Sequence, residues 1–193
     1  MPKNAIASMY KEVDQMLNKG VWKGVKPSFK YKKKVIKSFM FLKEKFDASG
    51  KFEKLKSRLV AGGHMQDRTF MTDDDSSSPT ATLSSIFTIA SIAARDRRHI
   101  RTVDIAGAYL NADISDKGIL MELDETVSAI LLSLDPSYKE FLRPNGTIVV
   151  ELQKALYGCV ESGKLWYDML CATLKSLGYF ANPLDPCIFN KTA

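Results

Sequence analysis

With 193 residues, 45% hydrophobic and 26% charged, the chain is long enough to bury one good core with a small lobe attached, and its composition excludes wholesale disorder. The net charge of +6 is unevenly laid out: residues 1–58 hold 16 Lys/Arg against 5 Asp/Glu, and the rest of the chain is net acidic. Three scattered cysteines without a CxxC pair, only two histidines, and no apolar run near ~20 residues argue against a zinc site, a disulfide framework and a membrane-spanning helix.

The first element is an amphipathic helix. Ile6, Met9, Val13, Met16 and Leu17 recur at helical spacing, and residues 18–20 end the pattern. Residues 21–25 read as a short strand before Pro27. The basic run at 30–37 (KYKKKVIK) is either a nucleic-acid-facing loop or a solvated face. Residues 39–46 and 52–61 read as two strands joined by Asp47-Ala48-Ser49-Gly50, a hairpin with cations on one face. Arg58 on such a face suits bidentate contact with phosphate; the plain alternative is an exposed strand that needs charge for solubility.

Residues 62–79 form a polar connection. Asp73, Asp74 and Asp75 within it read as a solvated loop, because a metal site needs a more rigid frame than the serines and threonine around them. Thr82 is a candidate N-cap for a helix through Leu83, Ile86, Phe87, Ala90 and Ala94. Residues 99–105 then read as a strand carrying Asp104 between Val103 and Ile105. An acid there costs free energy unless a charge or hydrogen bond meets it. It is either a metal-binding carboxylate or a satisfied strand-end acid. Residues 106–112 turn into a short helix, 119–123 form a strand, and the apolar stretch 127–134 packs on it. After the Pro144-Asn145-Gly146 turn come a strand at 147–152, a helix at about 162–177 closed by Gly178, and a last strand from Cys187 with no partner expected.

In order along the chain, several segments resemble the reverse transcriptase domain of Ty1/copia-type retrotransposon polyproteins. Lys56-Ser57-Arg58-Leu59-Val60-Ala61-Gly62-Gly63 is similar to KARLVAKG, and Ser78-Pro79 to the FSPV element. Val103-Asp104-Ile105-Ala106-Gly107-Ala108-Tyr109-Leu110-Asn111 resembles VDVKTAFLN, polymerase motif A. Ile119-Leu120-Met121-Glu122 resembles IYME. Leu152-Gln153-Lys154-Ala155-Leu156-Tyr157-Gly158 with Trp166-Tyr167 resembles LKKSLYG and its WY. Leu177-Gly178-Tyr179 resembles LGF, and Asp185-Pro186-Cys187-Ile188-Phe189 resembles the D-x-C-V-[FY] strand. The likeness covers nearly the whole chain.

The resemblance implies an α+β right-hand polymerase. Residues 1–80 would be a basic, fingers-like lobe with a hairpin. Residues 81–193 would be a partial palm, an antiparallel sheet with packed helices, cut before the YVDD hairpin. It implies RNA-directed DNA synthesis by phosphoryl transfer on two magnesium ions, with an RNA or DNA template-primer and deoxynucleoside triphosphates as partners and other polyprotein segments alongside. Asp104 matches the first metal-binding acid, with the Ile105 carbonyl beside it. Tyr109 falls where family members exclude a 2′-hydroxyl. Lys43, Lys56 and Arg58 are the candidates for holding the triphosphate, with the pair among them open. Tyr157 and Gly158 match the turn beneath the templating base pair. Cys159-Val160-Glu161-Ser162-Gly163 departs from the family's LKQAP, and Glu161 brings a negative charge toward the expected template. With one catalytic acid of three, the chain is expected to be inactive alone, in an intracellular setting. The alternatives are a non-catalytic nucleic-acid-binding module and a degenerate relic.

Overall fold

The computed structural model describes residues 3–31, 33–69, 71–72 and 76–191. The acidic triplet at 73–75 lies outside the described residues.

Helix α1 (Lys3–Asn18) buries Met9, Val13 and Met16, the row one helical face presents at steps of four and three. It stops where its sequence says it should. Gly20 takes φ +59, its N–H donates to the Leu17 carbonyl and the Val21 N–H donates to the Met16 carbonyl, so backbone meets the last open carbonyls. The chain then runs through β1 (Trp22–Gly24), β2 (Val35–Phe46) and β3 (Phe52–Ala61). The β2–β3 turn is closed by Asp47, whose carboxylate accepts from the Ser49 and Lys51 amides. Next come α2 (Leu83–Arg95), β4 (Leu120–Leu123), α3 (Glu125–Leu134), β5 (Ile148–Leu152), α4 (Ser162–Ser176), β6 (Phe180–Asn182) and β7 (Asp185–Asn190).

Five strands form one sheet in the order β1-β5-β4-β2-β3. It takes strands from both sides of residue 80. Between β1 and β4 lies the β-branched β5, where Ile148, Val149 and Val150 are wholly buried, as a strand covered on both faces must be. Met121, Leu123, Ile36 and Leu59 from the neighbouring strands join the α1 row and Val127 and Leu131 of α3 in the core. Buried Ser128 of α3 donates to the Leu123 carbonyl and accepts from the Ile148 amide, pinning the helix across β4 and β5.

Three expectations need correcting. The sheet is mixed rather than antiparallel, because β2 and β4 run parallel with Val35 opposite Leu120 and Ile36 opposite Met121. The long excursion through α2 between them is the crossover that parallel neighbours require. Residues 99–105 form no strand and are exposed, with Val103 86% accessible. The Val-x-Ile pattern has strand propensity, but none of the described strands pairs with this segment, and propensity without a ladder does not make a strand. Finally, β7 does have a partner. It pairs antiparallel with β6, Phe180 opposite Asn190 and Ala181 opposite Phe189.

Asp185, at the start of β7, anchors this small hairpin to α2. Its carboxylate accepts from the Thr82 amide at 3.0 Å and from the Cys187 amide at 3.0 Å. Thr82 is the α2 N-cap, its hydroxyl accepting from the Ser85 amide. Hydrogen bonding from the Ser85 hydroxyl, then from the Thr82 and Cys187 amides, holds the Asp185 carboxyl down at about 2, against an ordinary value of 3.8. A depressed folded-state value means the unfolded chain binds the proton first as pH falls. The contribution is therefore present above pH 3.8 and lost as pH falls through about 2. Thermal melts between pH 5 and pH 2 are expected to fall more steeply for the native chain than for Asp185→Asn. Parallel curves would show that this carboxylate contributes nothing.

Candidate functional site

The hairpin register decides which side chains share a face. Lys43 lies opposite Lys56, Phe41 opposite Arg58, Lys45 opposite Lys54 and Phe39 opposite Val60. Alternation puts all of these on one side of the ribbon. Buried Ser57, Leu59 and Ala61 occupy the other side, which faces the core. The cations predicted from sequence thus stand together, with Lys43, Lys56 and Arg58 all exposed. Phe41, 57% accessible, lies among them.

At the inner end of this face the hairpin meets the loop after β5. The Arg58 guanidinium carbon lies 5.5 Å from the centre of the Tyr157 ring. Tyr157 is tilted against Tyr109, with ring centres 5.0 Å apart. Burial pushes the Tyr157 hydroxyl up from its usual range. The Arg58 charge opposes this, and Glu12, Tyr109 and Asp104 add to it. So Arg58, Tyr109 and Tyr157, spread over about a hundred residues of sequence, gather at one place, with Asp104 five residues before Tyr109 in the chain. Lys56 and Lys43 continue the same surface outward.

Backbone contact seats the loop. The Ala61 amide donates to the Tyr157 carbonyl at 2.7 Å. Gly158 has φ +92, and a Cβ added there would stand 2.1 Å from the Ala61 carbonyl oxygen. A Cβ on Gly63 would stand 1.9 Å from the Gly158 carbonyl oxygen. The two glycines let two backbones approach as no side-chain-bearing residue could. The Gly158 space is filled by the end of β3.

Glu161 departs from its expected orientation toward a template. It is 4% exposed and accepts from Gln66 Nε2 at 2.9 Å, while Gln66 Oε1 accepts from the Val160 amide at 2.8 Å. The Gln66 side chain thereby ties the 158–161 loop to the turn after β3. No sequence signal marked Gln66, because a glutamine in a polar connection looks like any other. The thiol of neighbouring Cys159 is pushed up to about 12, by burial first and then by the Glu161 charge, so it stays protonated.

Asp104 and the Ile105 carbonyl lie on the exposed 99–105 segment. No group of three or more His, Cys, Asp or Glu side chains suited to a metal ion occurs among the described residues. One carboxylate and one carbonyl do not make a two-magnesium site, so the described donor set does not hold those ions by itself. No helix among the described residues is long and apolar enough to cross a membrane.

Comparison with known proteins bears on the whole chain. Residues 19–193 match the family described as reverse transcriptase (RNA-dependent DNA polymerase). The Pol polyprotein from transposon TNT 1-94 of Nicotiana tabacum is 28% identical over 184 residues, covering 95% of this chain and 13% of that polyprotein. That from transposon RE1 of Arabidopsis thaliana is 27% identical over 187 residues, covering 97% of this chain and 12% of that polyprotein. That from transposon RE2 of the same plant is 27% identical over 146 residues, 76% of this chain. No solved structure matches. The chain spans about an eighth of the length of the first two curated relatives. A match over nearly all of its length makes this chain a member of the reverse transcriptase (RNA-dependent DNA polymerase) family, of the Ty1/copia retrotransposon kind.

Proposed function

We propose that the chain supplies the fingers and the first part of the palm of an RNA-directed DNA polymerase. Residues 1–80 are the basic, fingers-like lobe and residues 81–193 the partial palm. The observation that carries this reading is the meeting of the hairpin cations with the Tyr157–Tyr109 pair, five residues along the chain from Asp104. Arg58, Lys56 and Lys43 form one phosphate-binding face that takes the template-primer backbone as well as the triphosphate. Tyr109 packs against the incoming sugar. Tyr157 and Gly158 form the floor beneath the templating pair. Asp104, with the Ile105 carbonyl, contributes one leg of a magnesium site whose other carboxylates come from further polyprotein sequence. The family's phosphoryl transfer depends on charge neutralisation and positioning, and a magnesium pair supplies the neutralisation when bound. The 193-residue chain alone is inactive in primer extension.

Filter binding of an RNA–DNA template-primer duplex to the chain, titrated with salt, tests the grip. Binding weakens with salt, and Arg58→Ala lowers affinity roughly tenfold and flattens the slope of log K against log salt by about 1. Absence of salt-dependent binding, or an unchanged slope in Arg58→Ala, overturns it. Incorporation of nucleotides by the 193-residue chain overturns the assignment of the remaining ligands to other sequence.

A further inference from the structure

Helix α1 lies outside the residues that match the family, yet it and Lys19 just beyond its end touch both elements that carry the proposed site. The side chains responsible are Ser8, Glu12, Gln15 and Lys19, which follow one another at steps of four, three and four and so form one row. β3 is the edge of the five-stranded sheet, and its outward backbone groups need partners. Ser8 Oγ accepts from the Ser57 amide at 2.7 Å and donates to the Leu55 carbonyl at 3.1 Å. One turn on, Glu12 Oε1 accepts from the Leu59 amide at 3.1 Å. Together they stand in for a neighbouring strand along 55–59, the part of β3 that bears Lys56 and Arg58.

The other end of the row reaches the turn between Asp104 and Tyr109. Lys19 Nζ donates to Asn111 Oδ1 at 2.8 Å, and Asn111 Nδ2 donates in turn to the Gly107 and Ala108 carbonyls. Gln15 lies against Gly107, its Nε2 2.9 Å from where a Cβ on that glycine would be.

Glu12 is the unusual member. Its carboxylate is half-buried, beside the face of α1 that carries Met9, Val13 and Met16 into the core. Burial raises its carboxyl above the ordinary value, against the pull of the Leu59 amide and of the Lys56 and Arg58 charges. It also acts on Tyr157. A half-buried acid beneath two cations and a tyrosine of the site is more than a surface charge.

We propose that Glu12 is a positioning residue: through the Leu59 amide it fixes the stretch of β3 that aims Arg58 across Tyr157, and α1 is the splint that holds this stretch and the Asp104–Tyr109 turn in one frame. The proposal rests on the reading of Arg58 as an anion grip. A splint of this kind acts on where Arg58 points rather than on whether the chain folds.

A double-mutant cycle on the 193-residue chain separates the two, with an RNA–DNA template-primer duplex as the probe. The quantity read is the loss of affinity caused by Arg58→Ala, which cancels the change in overall charge made by any Glu12 variant. In the native background that loss is about tenfold, the size expected of a charge-assisted contact. In Glu12→Ala it is expected to shrink below threefold. Glu12→Gln, which keeps an oxygen acceptor for the Leu59 amide, restores it. Ser8→Ala, which opens the same edge one turn earlier, gives a smaller shrinkage and serves if Glu12→Ala does not fold. An undiminished Arg58 loss in both Glu12→Ala and Ser8→Ala overturns the splint. If Arg58→Ala costs nothing even in the native chain, the grip reading has failed instead. The Arg58 Nε–H resonance then decides the positioning claim: displaced in Glu12→Ala and native-like in Glu12→Gln supports it, and unchanged in both overturns it.

Discussion

Gly158→Ala is expected to destabilise the chain by about 3–5 kcal/mol, the combined cost of an L-residue at positive φ and of a methyl group driven into packed backbone. The glycine has φ +92, and the space beside its Cα is occupied by the Ala61 carbonyl oxygen at 2.1 Å and by Val60 Cγ1 at 2.6 Å from an added Cβ. The Ala61 oxygen is the obstacle that cannot yield. It is backbone, next to the amide that bonds to the Tyr157 carbonyl, so relief means pulling the loop off the end of β3. For a chain of this size the loss corresponds to a fall of roughly 10 °C in melting temperature. Gly50 is the control. It has φ +79, but an added Cβ would meet nothing within 4 Å. Gly50→Ala therefore carries the conformational cost alone, about 1 kcal/mol. Urea denaturation of the two variants measures the clash as their difference. Equal losses would show that the loop and β3 are not in contact in solution.

The same pair of glycines marks what could and could not be read from the sequence. Elements specified by their own residues were legible. The α1 stripe with Gly20 at its end, the Asp47 turn, the Thr82 cap and the β-branched run of β5 all fell where local chemistry put them. The cation face of the hairpin was legible too, because alternation fixes which side chains share a side, and the register then set Lys43 against Lys56. What failed depended on partners distant in the chain. Val103 and Ile105 look like strand residues, but a strand is a relation between two segments and no described strand meets this one. The direction of β4 against β2 is a fact about the crossover between them and leaves no mark in either strand. β6 is three residues long and too short to show a pattern. Glu161 looked like an exposed charge until Gln66, far away in sequence, proved to bond it. Likewise Gly158 resembled a family position, but the reason for a glycine there, the Ala61 carbonyl, comes from another strand.

Asp104 presents the opposite case from Gly158, and Asp104→Asn separates function from fold. The side chain is exposed on a segment outside both sheets, so the substitution is expected to change stability by less than about 0.5 kcal/mol. Nothing in the packing of the chain accounts for an acid between Val103 and Ile105, both of which are exposed as well. If the carboxylate belongs to a magnesium site completed by further polyprotein sequence, its loss strikes the chemical step, where metal-held charge is worth several kcal/mol. In a polymerase extended from this chain along its reading frame, Asp104→Asn should lower the rate of nucleotide addition by about a thousandfold, with template-primer affinity within about twofold of native. Arg58→Ala in the same protein should raise KM for the triphosphate more than it lowers kcat, because a triphosphate grip acts in the ground state as well as in the transition state. The two substitutions thus move different constants. Native polymerisation by the Asp104→Asn enzyme would remove Asp104 from the metal site. A melting temperature lowered as far as that of Gly158→Ala would place it among the structural residues instead.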